Sequence, residues 1–179
     1  MTNRLYHFSE NPNIPLFGPR QKANRTNMPP VVWAIDEEHE YTFYCPRNCP
    51  RIAYRRTGPM SIEAERLLFG ASGADSVLAV ESRWYAEIER CTIYRYVFEP
   101  DGFELFDATA GYYISPNPVH PVRVDAYDGL IGRLLAQGTE LRFVPDLHPL
   151  RDAVLASGIP DFGIHRFEFA KRADEQYRG

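Results

Sequence analysis

Leu5-Tyr6-His7-Phe8-Ser9 sets an imidazole and a hydroxyl two residues apart. In an extended chain, side chains two apart share a face, so His7 and Ser9 point the same way if this stretch is a strand. A histidine between Tyr6 and Phe8 also reads as a core residue satisfied by a backbone carbonyl, and Ser9-Glu10-Asn11-Pro12 reads as a turn. Trp33 and Tyr44, eleven positions apart, are large rings that suit either a core or a ligand platform. Arg20 follows a Gly-Pro turn and reads as a solvated or ion-paired surface arginine.

Several familiar chemistries have no foothold. No G-x-S-x-G elbow, P-loop or G-x-G-x-x-G occurs, and His7, His39, His120, His148 and His165 are scattered without an H-E-x-x-H. Cys45 and Cys49 form a C-x3-C pair in CPRNCP, and Cys91 stands apart. A structural zinc site normally draws on two close ligand pairs, so free thiols are expected and no metal cofactor.

The elements that must position these residues are short. VVWAID reads as a strand ending at Asp36, which caps a helix over EEHEYTFY that stops before Pro46. RIAYRR (51–56), SVLAVE (76–81), TIYRYVFEP (92–100), FELFD, GYYIS, PVRV (121–124), ELRFVP (140–145) and FGIHRFEFA (162–170) read as strands. Helices are expected at 61–69 with Ser61 as cap, at 83–91, and at two C-terminal stretches capped by Asp128 and Asp146 and stopped by Gly138 and Gly158. The apolar stripes 130–135 and 147–155 belong to the core. QKANRTNMPP (21–30) is a loop, and the tail KRADEQYRG is a frayed end. Strands in the middle flanked by helices give α+β rather than alternating β-α-β.

The chain has 179 residues, 44% of them hydrophobic and 25% charged, which suits one globular domain with its own core. Fifteen prolines and 13% aromatics favour many short elements over a helix bundle. A net charge of −4 argues against a broad nucleic-acid surface and leaves a local basic groove open. MTNRLYHFSE has no apolar h-region and no long apolar run follows, so neither a secretory signal nor a membrane span is expected. Three cysteines, an odd count, point to a reduced, cytoplasmic setting.

The order of these segments resembles the ADP-ribosyltransferase fold, in the branch of poly-ADP-ribose polymerases and rifampin ADP-ribosyltransferases. That branch opens on a strand of the type [YWF]-H-x-[ST], which Tyr6-His7-Phe8-Ser9 matches. Its second motif, an apolar strand of the type I-Y-F-A-D followed by a helix ending in Tyr, is similar to Val32-Trp33-Ala34-Ile35-Asp36 and Tyr44. Tyr112-Tyr113-Ile114-Ser115 and Val119 resemble the late E-Y-I-V strand, and IYRYVFEPDGFELFD resembles a stretch of the rifampin-modifying enzymes. The chain also resembles an uncharacterised bacterial domain family that opens with L-Y-H-F-S and contains V-W-A-I-D-E-E.

The resemblance implies an α+β fold of split mixed and antiparallel sheets with short flanking helices. Residues 5–124 would be the core, and 125–179 a C-terminal helical extension packed on it within one domain. It implies NAD as substrate, without a metal. The nicotinamide glycosidic bond would be cleaved, and ADP-ribose transferred to water or to an unspecified acceptor. His7 would bond a ribose hydroxyl, and the Phe8 backbone and Ser9 would grip the carboxamide. Tyr44 would stack on nicotinamide, Trp33 would wall the pocket, and Arg20 would reach a phosphate. At the usual third-motif Glu this chain has Gly111 or Tyr112, depending on a one-residue choice of alignment. The catalytic set is therefore His7 and Tyr112 with Glu104 or Asp107 supplying the acid. Without that acid, the chain would be an inactive nucleotide- or protein-binding module; a structural module with no ligand pocket is the third alternative.

Overall fold

Contacts divide the chain into two units in the computed structural model, which describes residues 4–22 and 26–171. The first unit spans Met1–Tyr44 and Thr92–Asp128, and the second spans Cys45–Cys91 and Gly129–Gly179. Strands β1 (Leu5–Ser9), β2 (Val32–Ile35), β5 (Ile93–Phe98), β6 (Glu104–Asp107), β7 (Tyr112–Ser115) and β8 (Arg123–Tyr127) belong to the first. Strands β3 (Arg51–Arg55), β4 (Ser76–Glu81), β9 (Glu140–Val144) and β10 (Phe162–His165) belong to the second. With them come four short helices: α1 (Ile62–Leu68), α2 (Tyr85–Arg90), α3 (Leu130–Ala136) and α4 (His148–Ser157). The class is α+β, with one antiparallel and one mixed sheet.

The first sheet runs β6-β7-β2-β1-β5-β8, with every neighbouring pair antiparallel. Strict alternation gives it two working faces. On one face Leu5, Val32, Ala34, Tyr96 and Phe98 form a core, closed by Phe17 from the segment after β1. That segment is tied down by Tyr96, whose hydroxyl donates to Asn11 O at 2.6 Å and accepts from Ile14 N at 3.0 Å. Bridges from Phe17 to Val119 and from Arg20 to Val31 complete the fastening. On the other face Tyr6, Ile35 and Val97 pack with Phe8, Phe43 and Tyr112.

The second sheet runs β10-β3-β4-β9, with β4 and β9 parallel and the other pairs antiparallel. Ile52, Tyr54, Val77 and Ala79 of this sheet pack with Leu68, Val154 and their neighbours. The C-terminal stretch thus supplies α3 and α4 and also two strands of a sheet. Ser61 caps α1 as its sequence predicts, its hydroxyl accepting from Ala64 N at 3.0 Å.

Local differences from the sequence expectations have local causes. Residues 37–44 form a turn and a single 3-10 turn, Glu40–Phe43, because Asp36 Oδ1 takes the His39 N–H at 2.9 Å and tightens the chain at once. The segment expected as a helix over 83–91 starts as a 3-10 turn, Ser82–Trp84, before α2. Asp128 does not cap α3: Gly129 holds the cap position at φ +56° and no side chain bonds there. Asp146 stands one residue before the cap position of α4, which Leu147 holds without a side-chain bond, and its Oδ1 accepts from His148 N at 2.9 Å. The stripes are narrower than expected, with Leu130, Leu134, Leu147 and Val154 buried while Leu135 and Leu155 face outward. The last strand is cut short where Arg166 turns left-handed.

The burial pattern along α1 gives a clean stability contrast. Leu68 is 0% exposed and its neighbour Leu67 is 62% exposed. Leu68→Ala is expected to cost about 2–5 kcal/mol in urea unfolding. Leu67→Ala is expected to change it by less than about 0.5 kcal/mol.

Candidate functional site

β1 and β2 are neighbours that meet at one register pair, Tyr6 with Ile35. Their outer partnerships are long: β1 pairs β5 over five positions, and β2 pairs β7 over four. Beyond Tyr6 the two strands part. The imidazole of His7 spans the opening, its Nδ1–H donating to Trp33 O at 2.9 Å. A carbonyl only accepts, so this bond fixes the proton on Nδ1. The His7 ring also lies against Phe17, with centroids 4.8 Å apart.

Ser9 is at the far end of β1, on the face of Leu5 and His7. Its hydroxyl accepts from Asn11 N at 3.1 Å and so closes a turn. His7 and Ser9 therefore share a face, as their spacing predicts, with Phe17 packed against the imidazole. Arg20 is exposed, with its backbone bridged to Val31.

Trp33 belongs to the opposite face, since Val32 and Ala34 on either side of it point into the first core. There it joins a row of half-buried rings. Trp33 meets Phe106 at 5.1 Å and Tyr112 at 5.8 Å, edge to face. Tyr112 meets Phe43, which stacks on Phe8 at 5.8 Å with 5° between planes. The ammonium of Lys22 sits 3.6 Å from the Trp33 centroid, a close cation–π contact.

The sequence expectation of an imidazole, a hydroxyl and both large rings around one space needs correction at Trp33, whose ring lies on the face opposite His7 and Ser9, and at Tyr44. Tyr44 is 1% exposed, its ring flanked by Phe8 and Tyr127, so it presents no open face for stacking. Its hydroxyl donates to Glu40 Oε1 at 2.6 Å. Glu40 in turn receives Arg95, which also reaches Asp125 at 3.1 Å and lies over the rings of Tyr6 and Tyr127. Burial pushes the Glu40 carboxyl above the usual range, against the pull of the Tyr44 hydroxyl and Arg95. Arg95 stays charged: burial works against its cation, and Glu40, Tyr127 and Asp125 more than restore it.

The two carboxylates expected to supply an acid are placed differently. Glu104 is exposed on the edge strand β6. Asp107 holds the β6–β7 turn, its Oδ1 accepting from Thr109 N and Ala110 N at 3.0 Å each. A carboxylate absent from that expectation lies nearer the join of β2 and β7. Asp36 continues the ladder by one rung, its N–H donating to Gly111 O at 3.0 Å. Its Oδ1 receives the His39 Nδ1–H at 2.7 Å.

Gly111 has φ +67°, and a Cβ there would lie 2.5 Å from Asp36 Oδ1 and nearer still to His39 Nδ1. The D-E-E-H spacing was visible in the sequence, but a capping role accounts for Asp36 there. Lys22, Phe43 and Phe106 carry no motif and are recognisable only from the register.

In the second unit, Cys45 and Cys49 are buried free thiols, and Cys49 N donates to Pro46 O in the turn between them. The Cys49 thiol is pushed up by its bond to Cys45 and by burial, and the Cys45 thiol is pulled down by that same bond, with help from Arg51. Among the described residues no group of three or more His, Cys, Asp or Glu has the geometry to hold a metal ion. Nor is any helix among them long and apolar enough to cross a membrane.

An α+β chain with this antiparallel sheet and its mixed companion defines the structural class. The chain belongs to DUF6886, a family of unknown function whose pattern matches residues 6–170, a span that takes in both units. No curated protein and no solved structure matches it.

Two glycines separate backbone strain from side-chain conflict. Gly102, at φ +82°, has open space around a built Cβ, whereas Gly111 does not. Gly102→Ala is expected to cost about 1–3 kcal/mol from its left-handed backbone. Gly111→Ala is expected to cost a further 1–3 kcal/mol or so, because Asp36 and His39 must move. Urea unfolding of the two variants side by side measures the difference.

Proposed function

We propose that the first unit binds NAD or a related nucleotide where β1 and β2 part, as an ADP-ribosyltransferase-like domain. The reaction is cleavage of the nicotinamide glycosidic bond, with ADP-ribose passing to water or another acceptor. One observation carries this reading: β7, β2 and β1 are adjacent, and β1 and β2 separate beyond a single pair with His7 at the opening. These are the three stretches whose sequence resembles the motifs of that fold, and they come from remote parts of the chain.

The chemistry of the neighbouring side chains fits such a ligand. A parted pair of strands offers backbone donors and acceptors to a planar carboxamide. The Trp33 face already holds a cation, the Lys22 ammonium. The nicotinamide ring of NAD carries a positive charge, so it would take that place over the indole and free Lys22 for a phosphate. Trp33 and Tyr112 replace Tyr44 as the stacking surface in this reading. Arg20, exposed beside the β2 entry, supplies a second positive group for the pyrophosphate.

A second reading keeps nucleotide binding without turnover. It is favoured by the absence of a carboxylate at Gly111 and Tyr112, by the exposure of Glu104 and by the engagement of Asp107 in its turn. Release of free nicotinamide separates the two.

Calorimetric titration with NAD tests the binding site. Wild-type protein is expected to bind, and His7→Ala and Trp33→Ala are each expected to weaken binding by about tenfold or more, the loss of roughly 1.4 kcal/mol. Unchanged affinity in both variants, or no binding by the wild type, removes this reading.

A further inference from the structure

We infer that Asp36, braced by His39, is the catalytic carboxylate of this site and occupies the space that Gly111 leaves open. The inference rests on the NAD reading and supplies the acid that reading lacks. Asp36 and Gly111 face each other across one rung of the β2–β7 ladder, linked by the Asp36 N–H to Gly111 O bond. A side chain at 111 would begin 2.5 Å from Asp36 Oδ1. The carboxylate therefore stands where a third-motif side chain would start, delivered from β2 instead of β7.

Three features make this carboxylate suited to act. Its Oδ1 is fixed twice, by the His39 N–H and by the His39 ring at 2.7 Å. His39 itself is buried, with 8% of its side chain exposed, and its carbonyl accepts from the Thr42 hydroxyl and so holds the turn. The other oxygen, Oδ2, makes no hydrogen bond among the described residues, and 28% of the Asp36 side chain is exposed. A carboxylate with one oxygen clamped and one open is pre-set in direction, as a catalytic base or a stabiliser of positive charge must be. Ile35, the residue before it, pairs with Tyr112, so the carboxylate sits at the end of the strand that carries Trp33.

The step it serves is balanced as follows. The bond from the ribose anomeric carbon to the nicotinamide nitrogen breaks, and its electron pair leaves with nicotinamide, which becomes neutral. Positive charge spreads over the anomeric carbon and the ring oxygen, and Asp36 offsets it. Water adds to that carbon through oxygen and gives its proton to Asp36 Oδ2, which passes it to solvent. The products are nicotinamide, ADP-ribose and one proton. Gly111 has no side chain because any atom there would displace Asp36 and His39. His39 is a positioning residue.

The test measures NAD affinity and nicotinamide release on the full chain, with thermal melting alongside. In Asp36→Asn, affinity is expected to stay within about threefold while kcat falls about 100-fold or more. His39→Ala is expected to lower kcat by about tenfold or more with little change in KM. His39→Gln, which keeps a donor for Oδ1, is expected to recover most of that loss, a rescue that a purely structural histidine would not show. Wild-type release with Asp36→Asn equally active, or equal losses in both His39 variants, overturns the assignment of Asp36 and leaves the NAD site standing. Wild-type binding without nicotinamide release also overturns it. A wild type that does not bind NAD overturns both.

Discussion

One backbone pair, Tyr6 with Ile35, joins the two halves of the first sheet. β1 is held by β5 on its outer side and β2 by β7, so the seam between β1 and β2 carries little of the load that keeps each strand in place. A seam of this kind would be a weakness in a sheet built only for stability, because backbone groups along it need partners. Here a side chain enters it: the His7 imidazole donates to Trp33 O where a ladder bond would otherwise form. Everything proposed about ligand binding depends on this opening, where the imidazole is held against the backbone of β2.

The two faces of the sheet do different work around the seam. On the first, Phe17 and the segment before it cover the core and back the His7 ring. On the second, the Glu40–Arg95–Asp125 chain and the Tyr44 hydroxyl fix the short turn after β2. A buried ion network of this kind adds little net stability over apolar packing, but losing one partner strands a charge and is costly. It ties Glu40 and Tyr44, at the two ends of that turn, to β5 and β8.

Much of the fold was legible because the strands announce themselves. IYRYVF, SVLAVE and RIAYR carry β-branched and aromatic runs bounded by turn residues, and each is a strand in the structure. Ser61 and Gly158 marked helix ends by their own chemistry. The turn after β2 is shorter than the helix its sequence predicts because the Asp36 to His39 bond tightens it, a contact that periodicity does not encode. The site was legible in part: the shared face of His7 and Ser9 follows from their spacing. The burial of Tyr44 does not, because it depends on Phe8 and Tyr127 meeting it from two remote strands. Lys22 and Phe106 were hidden for the same reason, their neighbours being set by strand register.

The central claim is that the seam between β1 and β2 is where a nucleotide enters. Amide hydrogen exchange with and without saturating NAD addresses it directly, residue by residue. The account predicts slowed exchange confined to residues 7–9 on β1, the facing part of β2, and the flanking residues that carry Lys22 and Asp36. Unchanged exchange along both strands, or protection gathered only in the second unit, would contradict it.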